Sequence, residues 1–381
     1  MKPSHIFFKE IKPILEEYNS AFHIPIENNN GNYRKILKEK LDEYLNFYNQ
    51  KILPVSLGKN ITFHGISLSD VPEKINYLNK KILQVFDEYF NGKTFFANKI
   101  LNETLDNINY KKLQFERTSK ERIFYRGRPK SDKQYTKSEL FHIPFQYRSR
   151  VSTNRYSIPG IPALYLGENS YTCWEEFDRK SFKEIYFSVF ESVDKTNIIE
   201  MLRIEDLLTD IKNGNIETNF IPYIILQYFV SFPISIACSI KVYNKEGNFK
   251  PEYIIPQMLL EYITQDEEIH GLKFPSTKIN YSKLKNIQAY NYVFPIKESQ
   301  ESGFCSILKN KFKLSAPSSL ELEDLLDDPY IKTILVSDGV GIEKNDNSPK
   351  ISIIENDERY YYDTSFGKLD KKLEQKTRTK L

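Results

Sequence analysis

Apolar residues recur at three- and four-residue steps through the first third of the chain. Tyr33, Ile36, Leu37, Leu41, Tyr44, Leu45 and Tyr48 fall on one face of a helix, the signature of an amphipathic segment packed on one side. Ile75, Leu78, Ile82 and Phe86 form a second stripe. Asp70 stands where an N-cap belongs, Pro72 just inside the start, and Gly92 at the stop. Thr94 to Ile108 reads as a further helix. The pattern predicts a helical N-terminal domain over residues 1–115.

The polar segment Lys111–Lys120 carries the boundary, and beyond it shorter, strand-like runs enter. Glu121–Arg128 (ERIFYRGR), Ala163–Leu166, Phe182–Glu191, Thr196–Leu202, Leu272–Pro275 and Asn291–Pro295 read as strands. Asp206–Asn213 and Tyr253–Thr264 read as helices. Phe220–Ile240 carries no charge over 21 residues, long enough to span a bilayer. Pro222, Pro233, Gln227 and the serines at 231, 235 and 239 interrupt it, and its character turns β-branched after Pro233. It therefore reads as a buried helix, Pro222–Phe232, followed by a buried strand, Ile234–Tyr243, with no membrane span. The expected fold class is α+β: a mixed-sheet domain at 120–297 behind the helical bundle, then an extension at 298–381. In that extension Glu321–Asp327 reads as a helix and Ile331–Val336 as a strand. The lone Gly339-x-Gly341 has no phosphate-loop context. The basic end, Lys368 to Lys380, is expected to be solvated and mobile.

Charge narrows the function classes. Lys plus Arg number 54 and Asp plus Glu 51 in 381 residues, which speaks against a protein that coats nucleic acid. Cys173, Cys238 and Cys305 lie far apart and the five histidines are scattered, the pattern of reduced thiols in a cytoplasmic protein with no metal site. No signal-peptide core fits the N-terminus. None of His5, His23, His64, His142 and His270 has an Arg a few residues upstream, which argues against the ribonuclease chemistry of some helical bundles.

Five segments occur in series: FYRGR, RYSIPGIPALYLG, YTCWEE, YIIPQMLLEYI and HGLKFPS. In order and approximate separation they resemble the RES toxin family, named for its Arg, Glu and Ser. Its members are enzymes of ADP-ribosyltransferase type that consume NAD. The resemblance covers residues 120–297 and implies an ADP-ribosyltransferase-like domain with NAD as substrate. It carries the family's Arg to Arg126, its Glu to Glu176 and its Ser to Ser276.

Those residue types suit the chemistry. The planar fork of Arg donates two parallel hydrogen bonds to a pyrophosphate. A carboxylate stabilises the oxocarbenium-like transition state that forms when a glycosidic bond breaks. By the resemblance, Arg126 holds the pyrophosphate with Arg155 assisting, and Arg128 lies on the same strand. Tyr156 and Tyr165 line the nicotinamide or ribose pocket, and Ser276 places the nicotinamide side. Glu175 and Glu176 open the helix after Asn169-Ser170. Glu176 is preferred because TCWEE aligns with its second carboxylate last, and adjacent helical residues point about 100° apart. Taken singly, each residue has a plainer role: an Arg in a surface ion pair, Tyr165 in a core, a glutamate pair complementing a helix dipole.

The implied role is a toxin that degrades NAD as a glycohydrolase or phosphorylase, in a toxin–antitoxin or phage-defence setting with a separate antitoxin protein. The alternatives are transfer of ADP-ribose to a protein or nucleic acid, and a non-catalytic NAD-sensing or interaction protein.

Overall fold

Helices and a mixed set of strands make this an α+β protein. The structure, a computed structural model, describes residues 3–113, 122–326, 347–354 and 356–381. The expected strand Ile331–Val336, the Gly339-x-Gly341 pair and most of the Lys111–Lys120 boundary lie outside the described residues.

In chain order the helices are α1 (Pro3–Glu17), α2 (Tyr33–Phe47), α3 (Leu53–Ser56), α4 (Val71–Phe90), α5 (Thr94–Asn107), α6 (Tyr110–Leu113), α7 (Ser170–Glu176), α8 (Ile204–Lys212), α9 (Ile221–Cys238), α10 (Ile254–Gln265), α11 (Ser306–Lys311), α12 (Leu320–Leu326) and α13 (Ser365–Glu374). The strands are β1 (Thr62–Phe63), β2 (Ile66–Ser67), β3 (Ile123–Pro129), β4 (Ala163–Gly167), β5 (Ile185–Ser192), β6 (Ile198–Glu200), β7 (Gly271–Pro275), β8 (Leu284–Lys285), β9 (Tyr290–Pro295), β10 (Phe312–Leu314), β11 (Lys350–Ile354) and β12 (Asp357–Tyr360).

The chain forms two compact units whose membership is discontinuous. The first takes residues 1–117, 152–161 and 197–277; the second takes 118–151, 162–196 and 278–381. This departs from the expected division at 1–115, 120–297 and 298–381. The reason is visible in the first unit, where α9 and α10 serve as core for the N-terminal helices.

The α9 helix is the centre of that unit. It runs unbroken through Pro233 to Cys238, which corrects the expected helix-then-strand. Proline has no N–H to give the Phe229 carbonyl four residues back. The Tyr44 hydroxyl supplies that donor at 2.8 Å, and Tyr33 donates to the Ala237 carbonyl at 2.9 Å in the last turn. Two residues of the α2 stripe thus complete the backbone bonding of a helix far away in sequence. Phe22, Tyr44 and Tyr48 pack their rings on Phe229 and Phe232, with centroids 4.9–6.2 Å apart. By length and composition α9 could cross a membrane, but 83% of it is buried within the protein.

The second unit is built on antiparallel strands in the order β10–β5–β3–β4–β9. On one face Phe124 meets Tyr292, Phe294 and Phe312. On the other, Tyr125 joins Ile185, Phe187, Val189, Cys173, Leu369 and Leu373, where α7 and α13 cover the strands. A smaller sheet, β12–β11–β8, closes a second cluster around Tyr171, Tyr281 and Phe366.

The basic C-terminus is docked, contrary to the expected mobile end. Phe366, Leu369 and Leu373 are buried. Thr379 exchanges main-chain hydrogen bonds with Leu314 at 3.0 and 3.2 Å, and Arg378 pairs with Glu191 at 2.6 Å.

Candidate functional site

The strands of the second unit part at one place. β3 pairs with β5 at seven positions, and β4 with β9 at five. Between β3 and β4 the register holds only at Tyr125–Gly167. Arg126 is the next residue, and where ladder bonds stop its Nη1 donates to the Tyr165 carbonyl at 3.0 Å. Burial, and then the neighbouring charge of Arg128, lower the Arg126 pKa to about 10, so it stays a cation at neutral pH. Arg128 is exposed. It donates to the Glu139 carbonyl at 2.5 Å and lies over the Tyr135 ring at 4.4 Å.

The short helix α7 lies on β3 and β4 because two glycines let it. A Cβ on Gly127 would come within 2.8 Å of the Phe177 ring and 3.3 Å of the Cys173 Cβ, and one on Gly167 within 2.8 Å of the Cys173 sulfur. The glycines of FYRGR and ALYLG are therefore clearance for a helix. Asn169 caps that helix, its side chain accepting from the Thr172 N–H at 2.8 Å. Cys173, wedged between, has its thiol pushed up to about 12 by burial, with Glu176 and Arg126 acting in opposite senses at longer range.

Glu175 and Glu176 end α7; they do not open it. Negative charge there opposes the helix dipole, so each carboxylate needs a partner. Glu175 is buried and both of its oxygens are engaged. Tyr171 donates to Oε1 at 2.6 Å, and Arg179 grips both oxygens at 2.9 Å. The chain reverses through Asp178 and Arg179, both at positive φ (52° and 59°), which folds Arg179 back onto its partner. Glu176 is half-buried, and its Oε1 accepts from Asn291 of β9 at 2.6 Å. Lys278 closes the helix end, donating to the Glu176 carbonyl at 2.7 Å and pairing with Asp178 at 3.1 Å.

Tyr125, Gly167 and Asn291 stand in line across three strands. Arg126 directly follows the first residue of that row, and Glu176 is bonded to the last. They are not in contact: strand alternation sends Arg126 out on the Phe124 face and Asn291 on the Tyr125 face. Tyr165 is half-buried, two residues before Gly167 and on the Asn291 face.

The other implied residues belong to the first unit. Arg155 is buried there, and its guanidinium is given to protein acceptors: the carbonyls of Cys238 (3.1 Å), Glu252 (3.3 Å) and Ile240 (2.9 Å), with Thr277 Oγ1 at 3.4 Å. These contacts join the end of α9 to the turn that precedes α10. Tyr156 is buried against Phe274 at 4.2 Å and bonded to the Cys238 side chain. Ser276 is buried just after β7. Between these stretches, Ile158–Ile161 form a turn closed by a 2.9 Å bond, with Gly160 at φ 74° supplying the conformation that Pro159-Gly160 announces.

Asn291, Lys278, Arg179 and Asp370 were missed by sequence reasoning. Asp370 had a signal: Phe366, Leu369, Asp370 and Leu373 recur at helical spacing, so an acid stands on an apolar stripe.

No protein-family model matches the chain, and no solved structure matches it. Sequence comparison nevertheless places it in a toxin family. The family is that of the Bacillus subtilis (strain 168) protein named "Putative toxin YopC", to which the chain is 33% identical over 323 residues, 82% of this chain and 72% of that protein.

Proposed function

We propose that this toxin consumes NAD by breaking the nicotinamide–ribose bond, with water or phosphate as acceptor. The observation that carries the reading is the parting of β3 and β4 beside Arg126, at the level where Asn291 fixes Glu176. Arg126 would take the pyrophosphate. Glu176 would stabilise positive charge developing on the ribose as nicotinamide leaves with the bonding pair, which neutralises its ring. The acceptor oxygen would then bond C1′ and lose its proton. Tyr165, on the Glu176 side, would contact the ring or ribose. The toxin setting fits control by a separate antitoxin.

The test is nicotinamide release from NAD by the purified protein, with and without phosphate, beside Glu176→Gln. Release should fall at least ~100-fold in the variant. Free ADP-ribose without phosphate, and its phosphorylated form with phosphate, would identify the acceptor; label retained on protein or nucleic acid would make the acceptor a macromolecule. No release by the wild-type protein would end the proposal. The resemblance also names Ser276, and Ser276→Ala belongs in the same assay.

A further inference from the structure

The N-terminus of α7 is held by a residue outside the segment that resembles the RES family. Asp370 of α13 is buried, and its Oδ1 accepts from the Ser170 N–H at 3.2 Å. Its Oδ2 accepts from the Tyr361 hydroxyl at 2.6 Å. The Ser170 hydroxyl in turn donates to the Phe366 carbonyl at 3.3 Å. Phe366 packs on Trp174 and Tyr171, with ring centroids 5.2 and 5.5 Å away.

At about 1.5 Å per residue, α7 is only about 10 Å long, so a tilt at one end displaces the other. Its far end is the one Asn291 and Lys278 hold at Glu176. We propose that Asp370 is a positioning residue: by fixing the first turn of α7 it sets where the Glu176 carboxylate is presented. This rests on the NAD-consuming reading of Glu176.

Two further observations support it. A buried carboxylate is an expensive way to fill space, and an apolar residue of similar size would pack more cheaply. The carboxyl group is also raised to about 7, chiefly by burial. The titratable groups around it are Tyr361 and Tyr362 on the preceding turn, Tyr125 of β3, Cys173 of α7, and Glu374 on its own helix. Secondly, α13 is itself anchored by the Arg378–Glu191 pair and the Leu314–Thr379 bonds. On this account the C-terminal extension completes the candidate site.

Asp370→Leu removes both acceptors at similar volume, and Asp370→Asn keeps one. In the full-length protein, Asp370→Leu should lower kcat for nicotinamide release at least ~10-fold with KM within about twofold, and Asp370→Asn should recover to within about threefold of wild type. Amide-exchange protection of residues 170–176 should fall about tenfold in Asp370→Leu while β5 keeps its own. Should Asp370→Leu fail to fold, Tyr361→Phe removes one anchor more gently and should show the same kcat-selective loss. Unchanged kcat and unchanged α7 protection would overturn the proposal, as would kcat and KM moving together. If the wild type releases no nicotinamide, the NAD reading fails, and α7 protection alone then decides whether Asp370 anchors the helix.

Discussion

The passage of α9 through Pro233 depends on one hydroxyl, and that dependence can be measured. Tyr44→Phe keeps a ring that is 1% exposed and packed on Phe22 and Phe232 at 5.7 and 4.9 Å. It deletes only the donor to the Phe229 carbonyl. No N–H exists at residue 233 to replace it, so a buried acceptor is left unmet, at a cost of about 1–3 kcal/mol. In a Pro233→Ala background the restored N–H can bond the same carbonyl, and the second loss shrinks to about 0.5 kcal/mol. The double-mutant cycle should therefore return a coupling of about 1–2 kcal/mol between residues 189 positions apart in sequence. Urea denaturation of the four proteins, followed by circular dichroism, gives the numbers. Equal cost of Tyr44→Phe in both backgrounds would refute the idea that the hydroxyl substitutes for the proline's missing donor.

The two glutamates of α7 should separate cleanly. Glu175→Gln breaks the ion pair between a buried carboxylate and a solvent-exposed Arg179 and should cost about 1–2 kcal/mol of stability; Glu176→Gln should leave the urea midpoint nearly unchanged while abolishing nicotinamide release. Gly167→Ala would push a methyl group into the Cys173 sulfur and should lose about 1–3 kcal/mol, most of it recovered by adding Cys173→Ala; no recovery would mean that the clash lies elsewhere. The raised Asp370 carboxyl has a definite sign. Its proton is held more tightly in the folded state, so the associated stability is full below the unfolded value near 4 and is lost as pH rises through about 7. Three units, from 3.8 to about 7, correspond to ~4 kcal/mol at 1.36 kcal/mol per unit. Asp370→Asn should flatten that fall, seen as a smaller difference between urea midpoints at pH 4 and pH 8.

Features that depend on near neighbours in the chain were legible in the sequence. The stripes of α2 and α4, the strands at FYRGR and ALYLG, the Asn169 cap and the Pro159-Gly160 turn all follow from local periodicity and backbone preference. The candidate pair Arg126 and Glu176 came from spacing and family resemblance. Tertiary structure decided what local preference leaves open. Residues after Pro233 are β-branched and strand-prone, yet Tyr44 and Tyr33 satisfy the carbonyls that let them stay helical. Arg155 has the chemistry of a phosphate ligand, but three main-chain carbonyls claim its guanidinium. The lysine-rich end reads as solvated because charge dominates its composition, whereas three apolar residues and one aspartate on a single helical face dock it. Glu175 and Glu176 are chemically identical in the sequence. A turn that swings Arg179 back onto the first, and a strand that brings Asn291 to the second, give them different surroundings. Propensity is summed over a few neighbouring residues, but hydrogen-bond partners and burial are assigned by segments that meet only when the chain is folded.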